Sequence, residues 1–72
     1  MPVIPPREAV LAVLGEAGEP LHWTVIVDRA LRAGYLDPFT TPDVRSQVQR
    51  ALRELRDDGS VVRTDAGAYR IT

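Results

Sequence analysis

The chain has no cysteine and only one histidine. Neither a disulfide framework nor a zinc site of the usual four-ligand kind can therefore staple it. It has no lysine either: all nine basic residues are arginine. Guanidinium forks suit phosphates and guanine edges better than an ammonium does. Aromatics are scarce, with one Trp, one Phe and two Tyr. No apolar run approaches the roughly 20 residues that span a bilayer. The opening Met1-Pro2-Val3-Ile4-Pro5-Pro6 lacks the basic segment and long apolar stretch of a signal peptide. The expectation is a cytosolic protein without a membrane partner.

What is present suits one small domain. The 72 residues are 44% hydrophobic, too apolar for a disordered chain. A domain of this size buries only about 60% of its unfolded surface, so its core must be efficient. Net charge is −1, which argues mildly against a nucleic-acid partner. The distribution is uneven. Residues 1–40 carry three arginines against five acids, and residues 41–72 carry six against five.

Residues 1–5 read as an N-terminal arm and 6–72 as the domain. Pro5-Pro6 opens a helix well, because a proline at the first helical position gives up an N–H that has no partner anyway. Val10, Leu11, Val13, Leu14 and Ala17 follow at helical spacing, and Gly18 closes the helix, predicting Pro6–Ala17. Pro20-Leu21-His22-Trp23 is proline-bound and reads as a short extended segment. Thr24 is the expected N-cap of a second helix over Val25–Ala33, ended by Gly34. Tyr35 to Thr40 reads as a loop turned at Asp37-Pro38.

Thr41-Pro42-Asp43 carries the strongest local signature: a capping Thr, a first-turn proline and an acid where the helix dipole favours one. Val44, Val48, Ala51, Leu52 and Leu55 then form a helical stripe, predicting a third helix over Pro42–Asp57 with Gly59 beyond its end. Asp57 and Asp58 sit at the negative end of that dipole, where Arg56 and Gly59 are expected to offset them. Ser60–Thr64 and Ala68–Thr72 read as two strands joined at Asp65-Ala66-Gly67, with Tyr69 and Ile71 on one face and Arg70 on the other. The predicted class is α+β: three helices, a short first strand and a C-terminal β-hairpin, the order of a winged helix-turn-helix with the hairpin as its wing.

From about Val10 onward the chain resembles the HARE-type helix-turn-helix domains. The resemblance is carried by Ala9-Val10-Leu11 with Val13-Leu14, by Gly18-Glu19-Pro20-Leu21-His22-Trp23, and by Ile26 with Ala30-Leu31 and Gly34-Tyr35-Leu36. It continues through Thr41-Pro42 to Gly67-Ala68-Tyr69-Arg70-Ile71. Where that family has an aromatic near the first wing strand, this chain has Val61-Val62. The resemblance implies winged helices of chromatin-associated proteins, restriction endonucleases and the delta subunit of bacterial RNA polymerase. It therefore covers both DNA-binding domains and a module on a protein machine, and fold alone does not choose between them.

A helical wheel sets Pro42, Ser46, Gln49, Arg50, Arg53 and Asp57 opposite the apolar stripe of the third helix. Arg45 and Arg56 fall on one flank, Gln47 and Glu54 on the other. If this face enters a major groove, Ser46, Gln49 and Arg50 are the base-edge candidates, while Arg45 and Arg53 hold phosphates. A plain solvated helix face would look the same. Arg63 and Arg70 on the hairpin are candidates for neighbouring phosphates or a minor groove, or for protecting a sheet edge. Thr41 with the first N–H groups of the third helix could take a phosphate, although an ordinary cap is the simpler reading.

His22 reads as structural or exposed and Trp23 as a near-core aromatic. Ser46 and Ser60 have no His-and-acid pairing, so catalysis is not expected, nor any cofactor, metal or small-molecule ligand. The leading expectation is a double-stranded DNA-binding domain, a small transcription-related or chromosome-associated regulator found with the nucleoid. The alternative is a protein-interaction module, a homodimer or a subunit of a polymerase-associated assembly. Its anchors would be Tyr35, Phe39 and the Val3-Ile4 arm.

Overall fold

A computed structural model describes residues 3–72; Met1 and Pro2 of the expected arm lie outside the described residues. Helix α1 spans Pro6–Ala17 with Pro6 in its first turn, and Gly18 ends it in the left-handed region at φ 65°. Both bounds are those expected from the two prolines and the glycine.

Strand β1 is only Leu21–His22, and α2 runs Trp23–Arg32. The expected extended segment therefore loses Trp23 to the helix, and the cap moves. His22, not Thr24, is the N-cap, its ring nitrogen accepting from the Thr24 N–H. The exit is as expected, with Gly34 at φ 80°.

Helix α3 spans Val44–Asp57. The expected start at Pro42 is wrong, and Thr41 is not its cap. Asp37 holds that stretch as a loop. Its carbonyl accepts from the N–H groups of Thr40 and Thr41, and its carboxylate from the N–H of Phe39 at 2.9 Å. The N-cap is Asp43 in the left-handed region at φ 54°, without a side-chain cap bond. The apolar stripe is as expected: Val48, Ala51, Leu52 and Leu55 are buried. Gly59 follows the helix at φ 87°. Asp58 is offset by Arg7 at 2.7 Å and by the N–H of Ser60 at 2.9 Å, rather than by Arg56.

Strands β2 (Val61–Asp65) and β3 (Ala68–Ile71) form the hairpin, β2 shifted by one residue at both ends from expectation and β3 one residue shorter at its end. The sheet order is β1-β3-β2, antiparallel throughout, so the last strand is central. The chain is thus an α+β domain of three helices and a three-stranded antiparallel sheet, an arrangement compatible with a winged helix. One core joins Ala9, Val10, Val13 and Leu14 of α1 to Ile26 and Ala30 of α2, Val48, Leu52 and Leu55 of α3, and Leu21, Leu36 and Val61. No buried residue in it is polar. Among the described residues no helix is long and apolar enough to cross a membrane.

Candidate functional site

Sheet register decides which hairpin residues face α3. Val61 pairs with Ile71, and Arg63 and Leu21 each pair with Tyr69. Residues directly opposite in antiparallel strands share a face. Val61 and Leu21 are buried, so this face looks onto the helices, and Arg63 extends it past the edge of the core. A bulge between Arg63 and Asp65 interrupts the ladder there. Val62 pairs with Arg70, placing both on the opposite face.

On α3, Gln49, Arg53 and Arg56 follow at spacings of four and three, which stacks them along one side of a helix. That side meets the hairpin in an open groove of about 390 Å³, lined by these three residues with Trp23, Leu52, Arg63, Gly67 and Tyr69. Its lining is mostly polar and contains no carboxylate. The guanidiniums of Arg53, Arg56 and Arg63 take part in none of the ion pairs among the described residues. In a chain with net charge −1, three arginines without ion pairs among the described residues line one acid-free concavity, an arrangement whose field attracts anions.

The hairpin is tied to α2 at the groove's edge. The N–H of Trp23 donates to the carbonyl of Gly67 at 2.9 Å. A Cβ at Gly67 would fall 2.6 Å from Nε2 of His22, so only glycine permits this approach. Arg45 lies one turn before Gln49, its guanidinium carbon 6.0 Å from the Trp23 ring centre, within cation–π reach. One helical side thus carries Arg45, Gln49, Arg53 and Arg56 beside Trp23.

The remaining sequence candidates lie elsewhere. Arg50 and Glu54 pair at 3.7 Å and line a different depression with Arg7 and the Pro5-Pro6 entry of α1. Ser46 is exposed and lines neither depression. Thr41 lines a hollow between α2 and the start of α3, with Asp28, Asp43 and Arg45 beside it; it does not cap α3. Arg70 borders the α1 exit near Gly18 and Glu19 and bonds the carbonyl of Ile71, so it does not join Arg63. Arg56, absent from the sequence candidates, is the residue that completes the groove. Its place on the helical flank was visible, but not that the hairpin would close over that flank.

Two ionisable groups away from the groove are shifted. Hydrogen bonding from Ser60, then the Arg7 charge, holds the Asp58 carboxyl below its ordinary range. The bond from the Tyr35 hydroxyl to Glu16, 2.7 Å long, raises the Tyr35 phenol above its ordinary value, helped by burial and the Glu16 charge. Tyr35 is thereby committed within the fold, and Ile4 packs on the core with its N–H on the Tyr35 carbonyl. Neither is a free anchor. Phe39 is 95% exposed.

No family model, curated protein or solved structure matches the chain.

Proposed function

We propose that the domain is a winged helix that binds double-stranded DNA, with α3 entering a major groove and the β2–β3 hairpin acting as the wing. The observation that carries this reading is the acid-free groove between α3 and the hairpin, where Arg53, Arg56 and Arg63 have no ion-pair partner among the described residues. A duplex strand passing between helix and wing presents its phosphates along such a groove, and guanidiniums pair with phosphate oxygens in forked geometry. Gln49 on the same side is the base-edge candidate, since its amide can pair with adenine. Arg45 and Trp23 extend the surface toward the α2 N-terminus. The HARE-type resemblance of Gly18 to Trp23 and Gly67 to Ile71 fits the winged-helix part of this reading and does not choose between DNA and a protein partner.

The test is titration of a labelled duplex by fluorescence anisotropy between about 50 and about 200 mM salt. Each arginine that neutralises a phosphate contributes about 0.9 to the slope of log K against log salt. Arg53→Ala, Arg56→Ala and Arg63→Ala should each weaken binding and flatten that slope by about this amount. Arg70→Ala, on the opposite sheet face, should change neither. An unaltered affinity in the Arg53→Ala/Arg63→Ala double variant would refute the reading.

A second reading, a protein-interaction module, is favoured by Phe39. Its ring is 95% exposed on a loop whose backbone is bonded to Asp37. Absence of duplex binding at about 100 µM and low salt, beyond the usual range of non-specific affinities, would favour this reading.

A further inference from the structure

We infer that Trp23 is a positioning residue for duplex binding: the face of its indole ring holds the Arg45 guanidinium in line with the arginines of α3, as a further phosphate contact. This rests on the DNA-binding reading and adds to it the device that sets one arginine in place.

Three observations support it. First, the Arg45 guanidinium carbon lies over the Trp23 ring, 6.0 Å from its centre. A cation over an indole face is drawn to the negative potential of the ring. Second, the neighbouring carboxylates do not hold Arg45. It borders the hollow between α2 and the start of α3 together with Asp28 and Asp43, yet it takes part in none of the ion pairs among the described residues. Asp28 is bonded instead to Arg32 at 3.0 Å. Third, the ring is a fixed support. Trp23 packs on the core, and its N–H is bonded to the Gly67 carbonyl at 2.9 Å. Arg45 itself is exposed, and an arginine side chain free in solvent has much rotamer freedom to lose when it meets a phosphate. A ring that already holds the guanidinium takes part of that loss before DNA arrives. Arg45 and Arg53 are separated by roughly two turns of α3, about 12 Å along its axis. They therefore reach different phosphates.

Trp23 is the only tryptophan, so biosynthetic labelling with tryptophans of increasing fluorine content alters that ring alone. Fluorine drains negative potential from the ring face and changes its shape little, which weakens a cation contact stepwise and leaves packing in place. Urea unfolding should stay near that of the unlabelled protein across the series. Duplex affinity, read by anisotropy at low salt, should fall stepwise by about two- to fivefold in all, the range for a cation–π contact at an exposed site. Arg45→Ala should weaken binding and flatten the slope of log K against log salt by about 0.9. In the Arg45→Ala background the fluorinated series should bind with one affinity.

Constant affinity across the series without that substitution overturns this inference and leaves duplex binding standing. So does an Arg45→Ala variant that binds like the unsubstituted protein. An equal fall in the two backgrounds also overturns it, because the ring then acts on DNA without Arg45. Failure of the unlabelled, unsubstituted protein to bind removes this inference and the DNA-binding reading together.

Discussion

The backbone N–H of Trp23 donates to the carbonyl of Gly67 at 2.9 Å, making the first residue of α2 and the turn of the hairpin one hydrogen-bonded unit. It holds the hairpin turn at the edge of the groove, beside the two-residue pairing of β1 with β3 and the packing of Val61 and Tyr69 on the core.

Gly67→Ala should break that unit. The position has φ +76°, and an added Cβ would meet Nε2 of His22 at 2.6 Å and Cδ1 of Trp23 at 3.3 Å. The left-handed backbone alone costs about 1–2 kcal/mol in alanine. Urea unfolding should show at least that loss, with altered emission from Trp23. A variant that unfolds like the parent would show that the turn is not held this way.

His22→Ala should destabilise the protein by about 0.5–2 kcal/mol, the usual cost of losing an N-cap. The His22 ring accepts from the Thr24 N–H at 3.3 Å and lies 2.8 Å from the Thr24 hydroxyl. Asparagine is a strong capping residue, so His22→Asn should recover part of the loss in thermal melts. Thr24→Ala should cost less than His22→Ala, since Thr24 is not the cap. The reverse order would restore Thr24 to that role.

Asp43→Val should cost about 1–2 kcal/mol although the side chain is exposed and makes no cap bond. The loss is backbone strain: φ 54° is tolerated by Asp and disfavoured by a β-branched residue. Asp43→Asn should be near neutral. A similar melting temperature for the valine and asparagine variants would contradict the left-handed cap.

Stability should fall at both extremes of pH for separate reasons. Asp58 has a lowered pKa in the folded state. Its contribution is therefore fully present above the ordinary Asp value of about 3.9 and is lost as pH falls through the folded value. Asp58→Asn should flatten that acid limb. Tyr35 has a raised pKa, so its contribution is present below the ordinary phenol value of about 10 and is lost as pH rises through the folded value. Glu16→Gln should bring the Tyr35 titration back toward the ordinary value, read by phenolate absorbance. An unshifted titration in the parent would contradict the Tyr35–Glu16 bond.

Local chemistry was legible wherever it had no competitor. Pro5-Pro6 and Gly18 bounded α1 correctly, and the stripe from Val48 to Leu55 identified the buried side of α3. It misled where the backbone departed from the expected path. Thr41-Pro42-Asp43 has the composition of a helix start, yet the chain is left-handed at Asp43, φ 54°, and the helix begins only at Val44. His22 stood at a strand position and also supplied the cap, which composition alone would assign to Thr24.

The chain's order of residues determined the three helices, the hairpin and the division of α3 into an apolar and an arginine-bearing side. These follow from period and end chemistry, which act within a few residues. Tertiary structure decided which arginines act together. Arg63 faces α3 and Arg70 faces away because β3 sits between β1 and β2 in a register interrupted by a bulge. Arg50 is set apart from Arg53 by its pairing with Glu54. Arg56 joins Arg53 because the hairpin closes against that flank of the helix. Apart from the i,i+4 pair of Arg50 and Glu54, these outcomes depend on pairing between residues far apart in the chain, and spacing along the chain carries no record of it.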